Sequence, residues 1–208
     1  MTDQMTRQMS QQERTDTMVR FCQMHFAADE FYSYILCACR NNGYFWDEEK
    51  NKARKCFPRQ YGFVRADQIR DENYDAVEFI TKTLNYQKDY YVTANGFKHP
   101  KERTKTNLMT FYNIVIDVDC HRRNINSQQL QYALDSFAFM LKDGTYVTDD
   151  AYVPNTIVFT GRGVQLWYAI NPTGYKAKKI IKALTEKIID QVQALLNTMP
   201  TFNILSID

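Results

Sequence analysis

Two carboxylates, Asp117 and Asp119, stand one residue apart at the end of the run Asn113-Ile114-Val115-Ile116-Asp117-Val118-Asp119. Ile114, Val115, Ile116 and Val118 are β-branched, and no Gly or Pro interrupts them, so the run reads as a buried strand. Strand side chains alternate between faces, which points Asp117 and Asp119 the same way. Two like charges side by side at the edge of an apolar sheet repel each other. A divalent cation between them removes the conflict, and oxygen-only ligands favour Mg²⁺ or Mn²⁺ over zinc. The competing reading is an ordinary strand end entering a solvated turn.

A second stretch, Thr160-Gly161-Arg162-Gly163-Val164-Gln165, lies about forty residues downstream, between the apolar runs Thr156–Phe159 and Val164–Ile170. It reads as a hairpin tip. Glycines there can leave backbone N–H groups uncovered for phosphate oxygens, and Arg162 adds a fork of donors. A plain tight turn explains the same residues when they are taken alone. A third piece, Ile204-Leu205-Ser206-Ile207-Asp208, is another apolar run ending in a carboxylate. Three carboxylates at neighbouring strand ends could hold two metals about 3.5–4 Å apart, as used for in-line phosphoryl or nucleotidyl transfer.

The elements that must position these residues follow from periodicity. Residues 1–14 read as a disordered lead-in. Thr15 to Asn41 carries a helical pattern, with Val19, Cys22, Phe26, Phe31, Tyr34, Ile35 and Ala38 at spacings of three and four, and Asn41-Asn42-Gly43 stops it. Residues 44–70 are mixed. Asp71 to Asn85 reads as an amphipathic helix through Ala76, Phe79, Ile80 and Leu84, and Tyr90 to Thr93 as a short strand. A basic loop with Lys98, Lys101, Arg103 and Lys105 then leads into the aspartate strand. Ser127 is the expected cap of a helix whose apolar face is Leu130, Leu134, Phe137, Ala138 and Leu141. Asn171 to Gly174 closes the second hairpin strand. A helix from Tyr175 to Leu196 follows, burying Ile180, Ile181, Leu184, Ile188, Val192, Leu195 and Leu196 and carrying Lys176, Lys178, Lys179 and Lys182 outside.

The bulk numbers set limits. The 208 residues suit one domain, taken as 15–208, with an N-terminal module over 15–87 and a core over 88–208. A formal net charge of +2 excludes a polycation, so any nucleic-acid site is a local patch. No apolar run approaches the roughly 20 residues of a bilayer span, and the polar start lacks a secretory signal. Five scattered cysteines fit reduced thiols in a cytoplasm. Cys22-x-x-His25, Cys37-x-Cys39 and Cys56 match no zinc spacing and read as core thiols. His121 reads as a turn histidine. Arg122 and Arg123 suit either phosphate contacts or plain solvation. Trp167 and Tyr168 alternate on a strand, so one is expected in the core and the other exposed.

The order and spacing of Ile116-Asp117-Val118-Asp119, Thr160-Gly161-Arg162-Gly163-Val164-Gln165 and Ser206-Ile207-Asp208 resemble the catalytic core of the archaeo-eukaryotic primase superfamily. They look closest to the primase–polymerase domains of plasmids, phages and other mobile elements. The resemblance spans about residues 88–208. It implies an α+β fold with an RRM-like antiparallel catalytic sheet packed with helices, preceded by an N-terminal α/β module. It also implies template-directed nucleotidyl transfer on a DNA template and primer, with nucleoside triphosphates as substrates and a replicative helicase as a possible partner. Asp117, Asp119 and Asp208 would bind Mg²⁺ or Mn²⁺, and Thr160, Gly161, Arg162, Gly163 and Gln165 would hold the incoming triphosphate. The family's second motif usually begins with Ser and ends with His, where this chain has Thr160 and Gln165. The family domain normally continues past the third Asp into an Arg-containing segment, so the chain is expected to be cut short there. A non-catalytic nucleic-acid-binding replication module is the alternative. A phosphohydrolase with an aspartyl nucleophile fits less well, because its motif generally lies near the N-terminus.

Overall fold

The computed structural model describes residues 10–26, 34–39, 44–47, 51–55, 60–73, 75, 77–78, 88–99, 104–120, 125–143 and 152–207. The chain divides into two compact units, Met1–Leu108 and Met109–Asp208. Both are α+β, and every strand pairing described below is antiparallel.

The N-terminal unit opens with helix α1, Gln11–His25. It starts earlier than the sequence pattern indicates, inside the expected lead-in, because Ser10 and Glu13 form a capping box. Ser10 Oγ accepts from Glu13 N at 3.2 Å, and Ser10 N donates to Glu13 Oε2 at 2.7 Å. Two otherwise orphaned backbone donors are thereby satisfied. The expected helix to Asn41 does not form. Tyr34–Cys39 is instead strand β1. Its Tyr-Ile-Leu-Cys-Ala-Cys sequence suits either element, and two strand partners decide the matter. Strand β4 (Gln60–Arg65) pairs on one side and β5 (Lys88–Val92) on the other, giving the order β4-β1-β5. Tyr44–Asp47 (β2) and Lys52–Lys55 (β3) form a separate hairpin.

Helix α2, Ala66–Arg70, follows β4 directly and buries Ala66 and Ile69. Arg65 grips Asp67 at the junction through a paired salt bridge, with Nε donating to Oδ1 at 2.8 Å. Of the expected helix over 71–85, Asp75, Val77 and Glu78 are helical. Ala76, Phe79, Ile80 and Leu84 lie outside the described residues, as do Cys56, Lys101 and Arg103. Lys88–Val92 belongs to the first sheet by its pairing with β1. Gly96–Phe97 is a two-residue strand, β6.

The C-terminal unit is built on strand β7, Leu108–Cys120. Its sheet has the order β10-β7-β9-β8, where β8 is Thr156–Phe159, β9 is Gly163–Gly174 and β10 is Leu205–Ile207. Strand β9 runs through the expected closing turn, since Thr173 and Gly174 pair with Phe111 and Thr110 beyond a bulge. Helix α3, Ser127–Asp143, and helix α4, Lys178–Leu196, supply the layer that fills one face. The α3 cap is Asn126 rather than Ser127. Asn126 Oδ1 accepts from Gln128 N at 2.8 Å, while the Asn126 carbonyl takes the helical bond from Leu130. Residues Tyr175–Ala177 ahead of α4 form a 3₁₀ turn.

The core joins Ile114, Ile116, Val118 and Cys120 of β7 and Val164, Leu166 and Tyr168 of β9 to the apolar stripes of α3 and α4. Phe137 and Phe202 are fully buried and meet edge to face at 5.7 Å between ring centroids. Truncating Phe137 to Ala should cost about 3–5 kcal/mol in chemical unfolding. Ile180, expected in the α4 stripe, is 71 % exposed. It sits one residue ahead of Ile181, where the buried stripe of α4 begins, and turns off that face. No helix among the described residues is long and apolar enough to cross a membrane.

Candidate active site on the second sheet

Because Ile114, Ile116, Val118 and Cys120 face the core, strand alternation sends Val115, Asp117 and Asp119 to the other face of the sheet. The carboxylates therefore share a face, as the sequence requires. Both are partly buried, and Asp117 Oδ1 is shielded from solvent.

Register supplies their neighbours. Asp119 lies between Ser206 of β10 and Gly163 of β9. Asp117 lies opposite Gln165, which in turn pairs with Val158 of β8. One end of one sheet face thus gathers Asp117, Asp119, Gly163, Gln165 and Ser206 from three strands. The β10 register ends with Ile207 opposite Val118. Asp208 lies outside the described residues, as do His121, Arg122 and Arg123.

The hairpin is shaped around Asp119. A Cβ on Gly163 would collide with Asp119 Oδ1 and with the Val118 carbonyl, and would sit 2.9 Å from Asp119 Cα. Glycine at 163 is therefore a space requirement of the carboxylate. Gly161 has a different reason: its φ of +93° lies in the left-handed region that L side chains avoid. Thr160 N donates to Gly163 O at 3.0 Å, closing the turn. That amide serves the turn, so it is one fewer donor for the phosphate cradle expected from sequence.

Arg162 ties the tip to the exit of β7. Its Nη2 donates to Cys120 O at 3.1 Å, and Cys120 N donates to Arg162 O at 3.0 Å. A guanidinium charge is thereby held at the residue after Asp119. Thr160, Gly161 and Arg162 are exposed, whereas Gly163 is buried and Gln165 partly so.

Similarity to known proteins is limited. The chain is 23% identical over 149 residues to a replication protein of Clostridium perfringens, and the match covers 70% of this chain. It covers 34% of that protein, so the chain spans about a third of its length. No family model matches the chain, and no solved structure does.

The donor chemistry at the sheet end fits a hard divalent cation, since it offers carboxylate and amide oxygens without sulfur. No group of three or more His, Cys, Asp or Glu side chains placed to hold a metal occurs among the described residues. Cys22 and His25 are both buried on α1, and the His25 ring packs on Phe21 at 4.6 Å. They serve packing there.

Sequence reasoning missed Ser206 as a neighbour of Asp119, because a serine inside an apolar run carries no signal until the register is known. It also expected one of Trp167 and Tyr168 to be exposed, yet both are buried, at 3 % and 4 %. Tyr168 faces the core, where burial pushes its phenol up. Trp167 stands across from Val115 on the other face, where its burial leaves no open ring for a base.

Proposed function

We propose that the chain is a template-directed nucleotidyltransferase of the primase–polymerase type, acting in the replication of a mobile element. The observation that carries this reading is the register of β10, β7 and β9, with two carboxylates and a glycine hairpin at one end of one face. The similarity to a replication protein agrees with it.

In this reading Asp117, Asp119 and Asp208 hold Mg²⁺ or Mn²⁺. The bound metal would lower the pKa of an attacking 3′-hydroxyl and neutralise charge on the departing pyrophosphate. Residue Ile207, just before Asp208, pairs with Val118, just after Asp117. Gly163 keeps the hairpin backbone against Asp119, and Arg162 contributes positive charge at the mouth of the site. Gln165 offers an amide to the triphosphate, and Thr160 a hydroxyl. The substrates are nucleoside triphosphates, with a DNA template and primer as partner.

The test is incorporation of labelled nucleotides on a primed and an unprimed template, with Mg²⁺ or Mn²⁺. The parent chain should extend or initiate strands, and Asp117→Ala with Asp119→Ala should abolish this at an unchanged thermal midpoint. Incorporation by the double variant at the parent rate sinks the assignment.

A second reading is a nucleic-acid-binding replication module without catalysis. It is favoured by Gln165, which carries no charge, and by the Thr160 amide being used within the turn. Salt-dependent DNA binding by the parent chain without turnover selects it.

A further inference from the structure

The start of α4 is charged against its own electrostatics. Lys176, Lys178, Lys179 and Lys182 fall within seven residues, in a chain whose formal net charge is +2. All four are exposed, and the first turn of the helix holds no acidic residue. The positive end of a helix dipole normally favours Asp and Glu. Among the described residues, the ion pair found for this group is Lys182 with Glu186, at 3.4 Å between two solvated side chains. Such a pair does little to neutralise the cluster.

The patch also has a rigid anchor. The Tyr175 ring stacks on the buried Phe111 ring, nearly parallel at 6.3 Å. Lys178 Nζ lies over the Tyr175 ring, 5.5 Å from its centroid. The aromatic pair fixes where the cluster begins, at the end of β9 that pairs with Thr110.

We infer that the first two turns of α4, with Tyr175, are a second nucleic-acid contact: a basic patch that grips the phosphate backbone of a duplex far from the carboxylates. The inference takes its partner from the nucleotidyl-transfer reading and adds a surface which that reading does not require. Thr110 and Asp117 are seven residues apart on β7, about 23 Å at the rise of a strand. That length corresponds to about seven base pairs, at 3.4 Å each. Tyr175, where the patch begins, thus stands about that far along β7 from Asp117, and α4 packs on the sheet face opposite the carboxylates. On this placement a short duplex at the carboxylates is expected to leave the patch free.

The experiment compares the full chain with its Lys176→Gln, Lys178→Gln, Lys179→Gln, Lys182→Gln variant. Binding of two labelled DNA hairpins, with stems of five and of twenty base pairs, is followed by anisotropy between 50 and 200 mM salt. On the long stem the variant should bind more weakly, and its log–log salt slope should shrink by about 2–4, near 0.9 for each phosphate that a lysine no longer neutralises. On the short stem the slopes should agree. Circular dichroism should show the helix intact, with a thermal midpoint equal to or above the parent's. Equal slopes on the long stem overturn the patch, and equal losses on both stems overturn its remote placement. Lysine-dependent binding to phosphatidylserine vesicles, with the long-stem slope unchanged, assigns the patch to a membrane surface and also overturns it. Nucleotide incorporation separates the two proposals. A parent chain that fails to incorporate but shows the slope change keeps the patch and loses the transferase reading. One that incorporates normally with unchanged slopes does the reverse.

Discussion

Each unit hangs its sheet on a central strand with an antiparallel partner on both sides, and the two strands are built differently. β1 has six residues, none of them charged, and is paired along nearly its whole length by β4 and β5. β7 has thirteen residues, and its last turn of the pleat carries two carboxylates beside a three-residue partner, β10. A charge is tolerated in a sheet off the packed core face or where it has a partner. β7 meets that condition by strict alternation: its core face is Ile114, Ile116, Val118 and Cys120, and its other face holds Asp117 and Asp119. The difference lies in the charge that β7 carries at its exit and β1 does not.

The sharpest way to break that contrast is at the carboxylates. Asp117→Asn should lower nucleotide incorporation by about 1000-fold, since metal-held transition-state charge is worth several kcal/mol and each tenfold is 1.36. Its thermal midpoint should hold or rise, because one of two like charges has gone. A midpoint that falls sharply, with incorporation retained, would make the pair structural.

The hairpin provides the next test. Gly163→Ala should cost roughly 1–3 kcal/mol, as an overpacking substitution, and displace Asp119. Gly161→Ala should cost about 1–2 kcal/mol through its left-handed backbone alone. Gly174→Ala meets nothing within 4 Å, and its stability should stay within about 0.5 kcal/mol of the parent. Urea unfolding of the three variants checks the ranking.

In the N-terminal unit the effects should be smaller and confined to stability. Ser10→Ala removes the α1 cap, which should cost about 1 kcal/mol and leave incorporation untouched. Glu13 is held below the usual carboxylate range by the Ser10 backbone N–H and then by the Ser10 hydroxyl. Its contribution is therefore present above the unfolded pKa and lost as pH falls through the folded one.

Cys22 gives the smallest effect. Burial pushes its thiol from 9.0 up to about 12. The folded state favours the neutral thiol, so this contribution is complete below pH 9 and declines as pH rises toward 12. Cys22→Ala should flatten the fall in thermal midpoint between pH 9 and 10. Native Cys22 should also resist alkylation that the urea-unfolded chain undergoes.

Legibility followed residue chemistry. β7 was readable because Ile114, Val115, Ile116 and Val118 are stiff at χ1 and suit a pleat. The hairpin was readable from Gly161 and Gly163. β1 was not, since Leu36 and Ala38 favour a helix as readily and its spacing fits both periods. The cap of α3 was misassigned by one residue because Asn126 and Ser127 are both good caps, and only the carbonyl geometry separates them.

The sequence by itself determined that two carboxylates share a strand face, that glycines turn the hairpin, and that an apolar stripe runs down α4. Those are local consequences of a two-residue or 3.6-residue repeat. The fold alone decided that Gly163 lies against Asp119, that Ser206 and Gln165 flank the carboxylates, and that Arg162 returns to Cys120. Register across strands arises from many weak pairings between residues far apart in the chain, and no window of sequence contains them.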